Sequence, residues 1–263
     1  MVSESKQFKK DFGMKYAIKQ TAAAIFTVGL VALASTAVKA NPSIPLGSTV
    51  SVTDVGEAPS LIVYGTFPVV AGEGGAYTGG VYAGINNLLI SVNSGPSFTV
   101  QGFCIDPFHY SLPSNRADND TAVALANAPK SPGPMSATAA TELEQLWAKY
   151  FSPTMDAQDA ASLQVAIWEL VAETSNGGAG EPLTFQSDAT TAGVVSEAAG
   201  ELAWVENPAN INAPTANLIA VTGSGQDYVI EVPDSGPTLL MLAGSLMALA
   251  APTMLRKQAS QKA

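Results

Sequence analysis

The sequence predicts an α+β domain: an antiparallel β sandwich or barrel with its helices grouped to one side. Three observations predict it. Between Ser48 and about Ile105 the chain is rich in β-branched and aromatic residues and punctuated by Gly, Pro and Asn, the pattern of strands and turns. From about Ser136 to Trp204 apolar residues recur at three- and four-residue steps, the period of helices. "ANLIAVTG" and "QDYVIEV" then return to strand. Strands, then helices, then strands set helices beside an antiparallel sheet rather than alternating with a parallel one.

Taken in order, "STVSVTDV", "SLIVYGTF", "GGVYAGI", "LLISV" and "SFTVQGFCI" are the β-rich runs. "LPSNRADND" reads as a turn-rich loop, and "SPGPMS" is a sharper break before a helix. That helix is expected from about Ser136 to Tyr150, with Ala139, Leu143, Leu146, Trp147 and Tyr150 on one apolar face. A second is expected over about Ala157 to Thr174, with Asp156 or Thr154 as N-cap and "NGG" as its stop. A third covers about Ala189 to Trp204. No internal repeat is visible.

Two apolar segments flank this domain. Lysines precede Thr21–Ala37, which ends in Val38-Lys39-Ala40, the pattern of a secretory signal peptide cut after Ala40. Met14 would serve as an alternative start, and an uncut membrane anchor is the plainer alternative. Near the other end, Pro237 to Leu255 is apolar all round and is followed by Arg256 and Lys257. Its length suits one bilayer crossing, and the basic pair would act as a membrane stop on the cytoplasmic side. A buried core helix is the alternative. The expected organisation is therefore a signal peptide over 1–40, an extracytoplasmic domain over 41–231, and a terminal segment over 232–263 that contains a transmembrane helix at 237–255.

Charge narrows the function. Between Asn41 and Leu255 stand 3 Lys and Arg against 20 Asp and Glu, a formal charge of −17. Such a surface repels nucleic acid and anionic lipid. No EF-hand loop or histidine cluster marks a metal site, and no cofactor is expected. About 190 residues suffice for one domain with a real core.

"GFCIDPFHY" holds the only cysteine, Cys104, and the only histidine, His109. Exported cysteines usually pair, and Cys104 has no second cysteine to pair with. A Cys104–His109 hydrolase is one possibility, although no cysteine-protease pattern surrounds the thiol. His109 otherwise reads as a polar residue near the site, or a proton shuttle. Asp106 would orient a neighbouring group or cap a turn, and Pro107, which follows, favours the turn. In "DAASLQVAIWELVAE", helical geometry puts Gln164 on one face with Ala160, Ile167, Trp168 and Val171. A primary amide in an apolar stripe needs a partner. A backbone carbonyl or a water is the ordinary one.

Phe103-Cys104-Ile105 followed by Gln164-Val165-Ala166-Ile167-Trp168 resembles the thioester domains of bacterial surface proteins, over roughly Ala71 to Val232. Leu163 stands where that family usually has Thr. The resemblance implies a bond between the Cys104 sulfur and the Gln164 side chain, with ammonia lost. Phe103, Trp168 and Trp147 would keep water away. Transfer to an amine or hydroxyl would then fix the domain covalently to a protein or polysaccharide, without catalytic turnover. Val232-Pro233-Asp234-Ser235-Gly236, the apolar span and the basic end resemble the PEP-CTERM sorting signal in its VPDSG variant. This implies recognition by an exosortase, passage through the inner membrane, and delivery to the surface or extracellular matrix of a Gram-negative-type, exopolysaccharide-making bacterium. A non-covalent matrix protein of the same fold is the alternative to attachment.

Overall fold

The computed structural model describes residues 43–67, 76–109, 118–129, 133–174, 183–186 and 188–232. By its contacts the chain divides into Met1–Ala40 and Asn41–Ala263, and every described residue belongs to the second unit. The expected signal peptide lies outside the described residues, as do Pro233, Asp234, Ser235, Gly236, the apolar span, Arg256 and Lys257. Among the described residues no helix is long and apolar enough to cross a membrane.

The chain is mixed α+β, with a seven-stranded antiparallel sheet and three α-helices among the described residues. The strands are β1 (Thr49–Phe67), β2 (Tyr77–Val92), β3 (Phe98–Cys104), β4 (Asp118–Ala124), β5 (Thr184–Phe185), β6 (Leu218–Thr222) and β7 (Tyr228–Glu231). The helices are α1 (Ala137–Tyr150), α2 (Ala157–Thr174) and α3 (Ala189–Val205). Strand order is β2-β3-β7-β6-β4-β1-β5, and a further β1–β2 pairing closes the ladder on itself. Val50, Ser51 and Val52 make the closure: Val50, for example, pairs with Val92 of β2 on one side and Asp120 of β4 on the other.

The five β-rich runs form only three strands. "STVSVTDV" and "SLIVYGTF" join as β1, with register shifts at Asp54/Gly56 and Glu57/Ser60 where the strand bends. "GGVYAGI" and "LLISV" join as β2. The loop expected at "LPSNRADND" is corrected at its end, because Asp118–Asp120 begin β4. Their polar side chains carry little strand preference. Backbone pairing to Val52, Ser51 and Val50 of β1 holds them extended. The two-residue β5 pairs with Gly65 and Thr66 and leaves no readable pattern in sequence.

Helix ends follow capping chemistry. Ser136 Oγ accepts the Ala139 N–H at 3.1 Å. Asp156 caps α2 by accepting the N–H groups of Gln158 and Asp159 at 2.8 and 3.0 Å, which settles the choice against Thr154. Asp188 caps α3 in the same way. The "NGG" stop lies outside the described residues.

Two cores result. Val50, Val52, Leu88, Ile90, Val100, Ala122, Ile219, Val221, Tyr228, Ile230 and Val232 fill the barrel. Gly102 is needed there: a Cβ would lie 2.6 Å from the Val229 carbonyl oxygen and 2.9 Å from Ile230. The larger core lies between the barrel wall and the helices. It includes Phe103, Ile105, Ala220 and Val229 from the wall and Leu143, Trp147, Leu163, Ile167 and Val171 from α1 and α2. Beyond the barrel, Ser60–Phe67 and Tyr77–Gly84 continue as a two-stranded arm whose Val63, Phe67 and Ala83 pack into that helical core.

Between α2 and α3 sits a buried acid, Glu201, whose Oε2 has no partner. Burial, then the charges of Glu197 and Asp159, raise its pKa from 4.5 to about 8. The folded state therefore holds a proton that the unfolded chain releases between those values. Stability from this group is full below pH 4.5 and is lost as pH rises to about 8. Denaturant unfolding at pH 5 and pH 8.5 should show the protein weaker at the higher pH. Glu201→Gln should narrow that gap by stabilising the protein at pH 8.5 alone. An equal gain at both pH values would show that the carboxyl is not the titrating group.

Candidate functional site

Cys104 is the last residue of β3, and Gln164 lies within α2. Both are buried, at 3% and 1% exposure. The Cys104 N–H donates to Gln164 Oε1 at 3.0 Å, and Gln164 Nε2 donates to the Cys104 carbonyl at 2.7 Å. The local cause lies in the sheet. β2 pairs with β3 only as far as Asn86↔Gly102, leaving the next donor and acceptor on that side of β3 without a strand. At Gly84, with φ of +155°, β2 turns against the Pro59 carbonyl, which would lie 2.3 Å from any Cβ. The Gln164 amide takes the place that β2 vacates, offering one donor and one acceptor as a strand residue would.

The sulfur is enclosed. Cys104 Sγ lies 3.4 Å from the Asp106 carbonyl, to which it can donate, and accepts the Asp106 N–H at 3.3 Å. Burial first, then the Asp106 charge, push the thiol pKa far above the ordinary range. Trp168 and the Asp106 N–H act in the opposite direction. Trp168 is one helical turn beyond Gln164 and 4% exposed, with its ring edge-to-face on Phe67 at 5.7 Å. Phe103 and Ile105 flank Cys104 and are fully buried. Phe103 packs edge-to-face on Trp147 at 5.4 Å, so Trp147 supports the wall from the α1 side. The Ile105 N–H extends the β3–β7 pairing to the Asp227 carbonyl at 3.0 Å.

Asp106 does both things the sequence allowed. Its Oδ1 accepts the Phe108 N–H at 3.1 Å, capping the turn, and its Oδ2 lies 2.6 Å from His109 Nδ1. His109 is partly exposed and lines a cleft of about 290 Å³. The walls are Phe67, Tyr77 and Tyr82 from the arm and Phe108 from the turn, and Asp106 and Trp168 line it too. Cys104 itself does not line the cleft.

No family model, curated protein or solved structure matches this chain. The readings of its function rest on its own residues and geometry.

The structure thus brings together Cys104, Gln164, Trp168, Phe103 and Ile105, and places His109 at the adjoining cleft. Of the expected sorting motif, Val232 is the one described residue. It is buried in the barrel core, and its N–H and carbonyl both bond to Asn217, at 2.9 and 3.1 Å. The cleft walls contributed by the arm were missed in sequence. Phe67 and Tyr77 mark the ends of two strands, and nothing in their spacing relates them to Cys104. Among the described residues no group of His, Cys, Asp or Glu forms a metal site.

Gln164→Leu keeps the volume and strips the edge of β3 of both partners. Unfolding free energy should fall by about 2–4 kcal/mol, from two buried groups left unsatisfied. A loss under about 0.5 kcal/mol in denaturant titration would mean that the edge of β3 finds other partners.

Proposed function

We propose that this is an exported surface or matrix protein in which Cys104 and Gln164 form an internal thioester for covalent attachment to an amine or hydroxyl partner. The observation that carries the proposal is the placement of the Gln164 amide directly against Cys104, residues 60 apart in sequence, in a dry site beneath Trp168. Formation removes the thiol proton, joins Sγ to the Gln164 side-chain carbonyl carbon, and releases the amide nitrogen as ammonia. The Cys104 N–H already bonds to the oxygen that would carry negative charge during attack, as an oxyanion donor does. An amide is a poor electrophile, so fixed proximity must supply much of the drive. An incoming amine would then attack the same carbon from the cleft, the C–S bond would break, and the sulfur would take up the proton that the nitrogen loses.

A second reading has its own observation. The same two hydrogen bonds satisfy the buried amide without any covalent chemistry, which suits a structural matrix protein. A cysteine hydrolase is less well supported. Its nucleophile needs a depressed pKa, whereas Cys104 is pushed upward and His109 is bound through Nδ1 to Asp106.

Intact mass of the mature domain distinguishes the first two. The thioester predicts a mass short by one ammonia, and methylamine should add its full mass and liberate one titratable thiol. Full mass with a thiol that labels only after unfolding would leave the structural reading.

The terminal segment supports sorting by an exosortase, through Val232, Pro233, Asp234, Ser235 and Gly236, with the apolar span and Arg256-Lys257 holding the chain in the inner membrane before processing. Replacing Pro233 and Gly236 with alanine should leave an unprocessed, membrane-retained chain in the native host. Unchanged processing, read by gel mobility and fractionation, would defeat the sorting proposal.

A further inference from the structure

The Trp168 Nε1–H is buried and makes no regular hydrogen bond. A buried indole donor normally finds an acceptor, so an orphan one calls for an explanation. Of Phe67, Tyr77, Tyr82, Phe108 and Trp168 at the adjoining cleft, only Trp168 also belongs to the helix that carries Gln164. Its position one turn from Gln164 sets the ring beside the atoms that Gln164 and Cys104 bring together. The ring is held there by the edge-to-face contact with Phe67. The N–H makes no regular hydrogen bond to the Cys104 sulfur, yet Trp168 acts on that sulfur in the direction that favours the thiolate.

We propose that the Trp168 indole N–H is the donor that stabilises negative charge on the Cys104 sulfur, both when the thioester forms and when a nucleophile breaks it. The proposal rests on the thioester reading and assigns a catalytic residue to it. A protonated thiol and a thioester sulfur are weak acceptors, so the N–H gains little in either resting state. A thiolate is a strong acceptor. The interaction is therefore made chiefly when charge is on sulfur, which lowers the barrier rather than the ground state. In formation, sulfur becomes charged as the thiol proton leaves, attacks the carbonyl carbon, and expels ammonia with that proton. In transfer, the amine nitrogen bonds to the same carbon, sulfur departs as thiolate beside the indole and the Asp106 N–H, and it then takes the proton shed by nitrogen. The oxygen of the Gln164 carbonyl has a separate donor in the Cys104 N–H, so the two charges of the reaction are met by different groups.

Trp168→Phe keeps aromatic cover and removes the donor. 3-Benzothienylalanine at position 168 keeps the whole bicycle and replaces only the N–H, which guards against a variant that fails to fold. Wild-type mass comes first: without the ammonia deficit, the thioester reading itself fails. With the deficit present, methylamine coupling should slow at least about tenfold in the altered proteins. The thiol freed by coupling should also titrate at a higher pH than in wild type. If the bicyclic isostere couples within twofold of wild type and its freed thiol titrates unchanged, the indole N–H has no such role. An altered protein that folds but never acquires the deficit supports the proposal if its Cys104 thiol titrates higher than that of methylamine-coupled wild type, and overturns it otherwise.

Discussion

The end of β3 is a sheet edge that must be satisfied inside the protein, and a glutamine side chain satisfies it. Beyond Gly102 the strand loses β2 as a neighbour on that side. Water cannot reach the vacated groups, because α2 lies across them. An unpaired peptide group in that position would cost as much as a typical mutation removes. The amide of Gln164 answers both halves of the demand at once. This fixes the rotation of α2 about its own axis. With Gln164 turned to β3, Leu163 and Ile167 go to the helical core, and Trp168 is brought over the sulfur.

Burial also decides which chemistry is accessible. The chain is strongly acidic: Glu57 and Asp106 line the cleft, and Asp159, Glu197 and Glu201 gather where α2 meets α3. Glu57, at the cleft, is raised to about 7, by burial and then by Asp54. Beside such charges a free thiol in a dry pocket remains protonated. A site of this kind favours reactions driven by held geometry over those driven by an exposed thiolate. That is why the mutual placement of Cys104 and Gln164 weighs more here than the nearness of His109 in sequence. His109 belongs to the cleft wall and takes its orientation from Asp106.

Periodicity made the helices readable. The face containing Leu143, Leu146 and Trp147, and the one containing Gln164 and Trp168, follow from the 3.6-residue repeat, and the capping residues mark where each begins. An amide in an apolar stripe announced its need of a partner, and the backbone carbonyl expected as the ordinary one is that of Cys104; the Cys104 N–H as its second partner was not announced. The strands were less legible. Bulges interrupt alternation in β1 without ending the strand, and the polar Asn86-Asn87 interrupt β2, so each reads as two runs. Asp118–Asp120 are extended because β1 pairs with them, a cause that no local window contains. The arm residues Phe67 and Tyr77 reach the cleft through the long β1–β2 pairing. There Phe67 meets Trp168 of α2 edge-to-face.

The exit of the chain from the barrel has a mechanical side. Val232 is pinned by Asn217 and continues β7, which lies against β3 with Tyr228 opposite Cys104 and Ile230 opposite Gly102. On the proposed reading a partner would be fixed to Gln164 while the chain is held beyond Val232. Tension between those points would run along the β3–β7 pair from the Cys104 end towards Val232. Antiparallel strands pulled along their length share the load among all their hydrogen bonds, whereas peeled strands yield one bond at a time. Load would enter through α2, which carries Gln164, and leave through the few residues of β7, held in shear between β3 and β6, with the arm outside that path.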